Sequence, residues 1–150
     1  MTLDRFGEEP ARGAGEAVRG FLRARGCPDH VVSGGLEGLV AEWERVAEAV
    51  ELGYPLDTLN DYLNDMDVRQ LIAEAMAADP DPPIGAHAAH LAAADARIRA
   101  ALVPASRCLW GEGISAKRRW NEAREWWYFM RPARPGAGLR AELGLGEEGT

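Results

Sequence analysis

Apolar residues recur every three or four positions along most of the first hundred residues, the spacing that places one oily stripe on a helix. The clearest stripe is Leu36, Leu39, Val40, Trp43, Val46, Ala47 and Val50, with Glu37, Glu42, Glu44, Glu48 and Glu51 falling mainly outside it. An earlier helix is predicted over about 14–25, where Ala17, Val18, Phe21 and Leu22 share a face before Gly26 ends it. Cys27-Pro28-Asp29 reads as a turn into a short helical piece holding His30, Val31 and Val32, interrupted by Ser33-Gly34-Gly35. Gly53 stops the Trp43 helix, and Pro55 suits the entry to the next one, predicted to start near Leu56.

In that next segment Leu59, Tyr62, Leu63 and Met66 form one stripe, while Val68, Leu71, Ile72 and Ala75 form a second that is out of phase with it. One continuous helix would have to bury Gln70, so a break is predicted at 64–67, with Asp65 or Asp67 capping a new helix. Asp79-Pro80-Asp81-Pro82-Pro83 reads as a linker, because proline lacks an amide donor and biases its predecessor away from helix. A further helix is predicted over about 84–102, aligning His87, Leu91, Ala94, Ile98, Ala101 and Leu102 and ended by Pro104. Short connections between such helices predict an antiparallel bundle of four to five members around the Trp43 helix.

The C-terminal third changes character. Cys108-Leu109-Trp110 and Trp126-Trp127-Tyr128-Phe129-Met130 are short aromatic runs that favour strand. Two arrangements fit: a hairpin with a short helix inside its loop, which is preferred, or a helix over 115–129 capped by Ser115. The fold class expected is therefore mainly all-α, a bundle of four to five helices with a small C-terminal β-hairpin. Residues 1–13 are expected to be flexible, 14–132 to form a single helical domain, and the Gly-rich 133–150 to be a mobile tail.

A chain of 150 residues can bury its own core, and its 47% hydrophobic and 27% charged residues exclude a disordered composition. The apolar runs are too short to span a bilayer, and the acidic N-terminus lacks the apolar stretch of a secretory signal. With Cys27 and Cys108 read as reduced thiols, a cytoplasmic protein is expected. Abundant Ala, Gly and Arg beside a single lysine, Lys117, fit a GC-rich bacterial coding sequence.

The net charge of −7 is unevenly placed: residues 1–104 carry 9 basic and 18 acidic side chains, residues 105–150 carry 8 and 6. Residues 36–67 alone hold nine acids and one base, Arg45. Phosphates would be repelled from most of such a surface, which argues against general nucleic-acid binding. Glu44, Glu48, Asp57, Asp61 and Asp65 are candidate contacts to a basic partner, the three aspartates recurring every four residues on one face, where like charges repel. At the other end Arg118, Arg119, Trp120 and Trp126 belong to a basic-aromatic set with Arg107, Lys117, Arg124, Arg131, Arg134, Trp110, Trp127 and Tyr128. Three readings fit this set: the rings cap the bundle core with the arginines stacked over them or paired with the acidic helix, which is preferred; next, a protein interface; and last, a site for single-stranded nucleic acid.

Catalytic motifs are missing from the sequence. Ser33, Ser106 and Ser115 lack a nucleophile frame, and no Gly-rich phosphate cradle occurs. His87 and His90, three apart on a helix, could reach one metal with His30, Cys27 or Asp95, but His87 lies on the apolar stripe and His90 near its edge, which favours satisfied structural histidines. The function expected is a small acidic protein-binding module of inhibitor, immunity-type or accessory-subunit kind, with no cofactor and no membrane partner. The alternatives are a single-stranded nucleic-acid-binding module and a metal-dependent enzyme at His87 and His90.

Overall fold

The computed structural model describes residues 8–79 and 85–145, apart from the side chains of 8–14 and of 86. Six helices and one short strand pair follow in the order α1 Glu8–Ala24, α2 Asp29–Leu52, α3 Leu59–Ala78, α4 Ala88–Ala100, β1 Leu102–Pro104, α5 Glu112–Arg118, β2 Met130–Pro132 and α6 Ala137–Glu142. Of the residues expected to be flexible at the N-terminus, 1–7 lie outside the described residues and 8–13 belong to the first turns of α1. The proline-rich linker lies outside them too, except for Asp79.

The Trp43 stripe organises the fold. All seven of its predicted members are buried, with Trp43 fully enclosed, and α1, α3 and α4 all pack on α2. The predicted interruption ahead of the stripe is a kink: Gly35 takes φ 59°, ψ −156°, a region closed to residues with a side chain, and the helix resumes on its far side. At the other end Gly53 caps α2 in the left-handed conformation, φ 79°.

The break predicted at 64–67 does not occur. Helix α3 runs unbroken from a capping box, in which Thr58 accepts from the Asp61 amide while the Asp61 carboxylate accepts from the Thr58 amide. Its two stripes are out of phase because it packs on two sides, against α1 and α2 on the one hand and the turn at 126–128 on the other. Gln70 is buried, as a continuous helix requires, and its amide is satisfied there: it accepts from Trp127 Nε1 at 3.2 Å and donates to Glu74 at 2.8 Å. Two hydrogen bonds offset the desolvation that made burial look prohibitive.

The strand pair is real but sits elsewhere than predicted. Leu102 pairs with Pro132, Val103 with Arg131 and Pro104 with Met130, antiparallel, so the first strand precedes Cys108-Leu109-Trp110 and the second starts at Met130, the last residue of the aromatic run. Both prolines are tolerated because each strand of a two-stranded ribbon has a free edge. Trp126–Tyr128 forms a single 3-10 turn instead of a strand. Successive side chains of such a turn splay about 120° apart, and each ring meets its own partner, Trp126 against Trp43, Trp127 under Arg69 and Tyr128 against Trp120, so that all three are buried. The short helix expected inside the loop is α5, and the longer helix over 115–129 is excluded by the left-handed Arg119, φ 59°, that ends it.

Of residues 133–150, expected as a mobile tail, 146–150 lie outside the described residues and 133–145 fold back on the body. Leu139 of α6 has no exposed surface, the Gly136 amide donates to the Gly53 carbonyl at 2.7 Å, and Glu142 accepts from the first amide of α3, Leu59, at 3.0 Å. One continuous core therefore runs from Val18 to Leu139, with Cys108 inside it and Cys27 half-buried, both free thiols.

Candidate functional site

Helix α5 is held between two left-handed residues, Gly111 at φ 108° and Arg119 at φ 59°, and contributes no buried side chain. It therefore stands off the core and leaves a cleft of about 410 Å³ beneath it, within the range of ligand and peptide-anchor sites. Trp110 and Trp120, on either side of α5, form one wall with Tyr128, and Arg25, Cys27, Leu71 and Glu74 form the other. Ile114 projects into the opening, 42% exposed.

Asp67 fixes the aromatic wall. One carboxylate oxygen, Oδ1, accepts from Tyr128 Oη at 2.5 Å and from Trp110 Nε1 at 3.2 Å, and Trp120 stacks on Tyr128 with centroids 4.1 Å apart. Burial, and after it the bond to Asp67, raises the Tyr128 phenol far above its ordinary range, so the hydroxyl stays a donor at any physiological pH. Opposite, Glu74 is held by Arg25 and Gln70. Asp67, Gln70, Leu71 and Glu74 occupy i, i+3, i+4 and i+7 of α3, one helix face; that spacing was the sequence signal for this wall, and the predicted break at 64–67 obscured it.

The rim is cationic. Lys117 and Arg118 lie in the last turn of α5 and Arg119 follows, where positive charge meets the negative helix end. All three are exposed, and no ion pair among the described residues engages them. Arg45 pairs with Glu42, Arg69 with Asp95 and Arg97 with Glu51, where the bond to Arg97 holds Glu51 below its usual range, whereas Arg23, Arg99, Arg107, Arg131, Arg134 and Arg140, like the α5 cations, have no ion pair among the described residues.

The expected acidic face divides in two. Glu44 Oε2 lies 3.0 Å from His90 Nδ1, within hydrogen-bond distance, and Glu48 lies near enough to Arg97 to favour its charge, so the α2 acids face the bases of α4. Asp57, Asp61 and Asp65 stay together at the start of α3 with Glu42 close by. Asp61 has its capping role, and its carboxyl is held low by the Thr58 amide and hydroxyl. Asp65 is half-buried and accepts from Tyr54 Oη at 2.7 Å; desolvation raises its pKa, only in part opposed by that bond, with Glu42, Asp57 and Asp61 adding to the rise.

A carboxylate whose pKa is raised by folding binds more protons in the native than in the unfolded chain, so stability falls as pH rises through the interval between the ordinary and the raised value. Asp65→Asn, which keeps an acceptor for Tyr54, is expected to gain in melting temperature relative to wild type as pH rises from the ordinary carboxylate range to neutrality. Parallel melting curves for the two proteins across that range would show Asp65 to be relaxed.

Trp126, expected in an exposed patch, is a correction: it is only 8% exposed, tilted against Trp43 at 6.5 Å and covered by the Arg99 guanidinium 4.6 Å from its ring centre. Its apolar area closes the core. Trp127 is likewise buried, which leaves Trp110 and Trp120 as the half-exposed tryptophans. His87 and His90 approach each other with ring centres 6.4 Å apart, but Asp95 is committed to Trp43 and Arg69, and among the described residues no three metal-ligating side chains converge.

Fold and site together define a helical module with an aromatic-walled cleft under a cationic helix. The chain matches no protein-family model, no curated protein and no solved structure at a significant level.

Proposed function

We propose that this chain is a small protein-binding module of inhibitor, immunity-type or accessory-subunit kind, acting through the cationic-aromatic end and, secondarily, the acidic start of α3. The observation that carries this is α5: a helix with no fully buried side chain, which holds Ile114 42% exposed and Lys117, Arg118 and Arg119 without ion-pair partners among the described residues, beside a cleft. Exposed apolar and arginine side chains around a recess are the composition of interface hot spots. The nucleic-acid alternative loses three of its stacking rings, Trp126, Trp127 and Tyr128, to the core, and the metal-enzyme alternative lacks a third ligand among the described residues.

Photo-cross-linking tests it. With p-benzoylphenylalanine in place of Lys117, a discrete protein adduct is expected in cells, abolished by Arg118→Glu, and no such adduct is expected from exposed Ala92 on α4. Equal labelling from both positions, or adducts sensitive to nuclease, would reject the proposal.

A further inference from the structure

We infer that the occupant of the α5 cleft is an acidic protein segment carrying one bulky apolar side chain, its carboxylates paired at the rim with Arg118 and its neighbours and its apolar side chain set against Ile114, Leu71 and Trp120. This rests on the protein-binding proposal and names the chemistry of the partner. Lys117, Arg118 and Arg119 are three consecutive exposed cations with no ion pair among the described residues, and Arg118 lines the cleft. The other charged residues of the lining are Arg25, which is paired with Glu74, and Asp67, so the unpaired positive charge lies on the α5 side.

The floor of the cleft decides between protein and nucleic acid. Glu74 is neutralised by Arg25, but Asp67 meets only neutral donors, both on Oδ1. Its second oxygen can accept a main-chain N–H, which a peptide supplies at every residue other than proline and a phosphodiester backbone does not. A nucleic-acid strand would also bring a charge per nucleotide towards that carboxylate, and the face of Trp120 that Tyr128 covers is closed to base stacking. An acidic peptide can keep its carboxylates at the rim and present amides to the floor.

The test is selection from a phage-displayed library of random twelve-residue peptides on the full chain, followed by anisotropy titration of selected peptides, with oligo-dT as competitor. Enriched sequences are expected to place Asp or Glu beside an aromatic or large aliphatic residue. Arg118→Glu with Arg119→Glu should weaken them on the order of tenfold at low salt, with a flatter salt dependence. Ile114→Ser should cost roughly fivefold through lost apolar contact. Arg118 and Arg119 are exposed, so their double variant should melt with wild type; Ile114, 42% exposed, is covered over the rest of its surface, and the Ile114→Ser affinity is compared at a temperature well below its own melting point. Selection of basic or uncharged peptides at the same cleft, or displacement by oligo-dT at lower concentration than peptide, would overturn the acidic occupant. So would failure to enrich any sequence; the cross-link from position 117 then decides separately whether the chain binds protein at all.

Discussion

Trp43→Ala should destabilise the protein by about 3 to 5 kcal/mol, the cost of removing a fully enclosed indole and leaving its cavity. Trp43 is the point where three elements meet. Its ring packs beside Trp126, and its Nε1 donates at 2.8 Å to Asp95 of α4, which in turn takes two bonds from Arg69 of α3. Arg69 then lies 4.7 Å over the ring of Trp127. Truncation would remove the packing and one partner of a half-buried carboxylate together, so the loss should sit at the upper end of that range. Trp43→Phe separates the two contributions: it keeps most of the apolar volume and should cost on the order of 1 kcal/mol for the lost hydrogen bond, plus a small cavity. Urea unfolding of both variants measures this. A loss below about 1 kcal/mol for the alanine variant would place Trp43 outside the core.

Gly53→Ala is expected to release α6. A Cβ at Gly53 would stand 2.0 Å from the Arg134 carbonyl oxygen, and the residue's φ of 79° is itself unfavourable for alanine by roughly 1–2 kcal/mol. The approach is reciprocal: a Cβ at Gly136 would meet the Pro55 Cα at 2.6 Å. Neither backbone can yield without parting the 53–136 contact that seats Leu139, whose burial is worth a further 1.5–3 kcal/mol or so. Hydrogen exchange should show the Leu143 amide, which donates to Leu139, losing protection while amides of α2 keep theirs. Gly34→Ala is the control, since nothing lies within 4 Å of a Cβ there. Unchanged protection at Leu143 in the Gly53 variant would mean that α6 does not depend on this contact.

The two halves of the candidate site differed in how far they could be seen in advance. The cations and Trp120 were named from composition and spacing, because a run such as Lys117-Arg118-Arg119 cannot be buried unpaired and must therefore be displayed. Asp67 was assigned only a capping role, and Trp126 was placed outside when it is inside. Both errors come from partners distant in the chain: Asp67 is defined by Trp110 and Tyr128, and Trp126 by Trp43 and Arg99. The glutamates of α2 were counted as one face with the aspartates of α3, but α4 supplies His90 and Arg97 opposite them, and no local pattern records which helix will lie alongside.

By itself the sequence determined the helical periodicity, the seven buried positions of α2, the glycine interruption at 35 and the glycine stop at 53, the short helix inside the C-terminal loop and the balance of charge along each part of the chain. These follow from spacing, backbone freedom and solvation, which act over a few neighbouring residues. Only the tertiary structure decided that α3 runs through Gln70, that β1 begins at Leu102, that α6 docks, and that a cleft opens under α5. Each of these depends on a hydrogen bond or close approach between residues tens of positions apart: Gln70 with Trp127, Leu102 with Pro132, Gly53 with Gly136, and Asp67 with Tyr128. Burial of a polar group, or seating of a terminal helix, becomes favourable only once such a distant partner is in place.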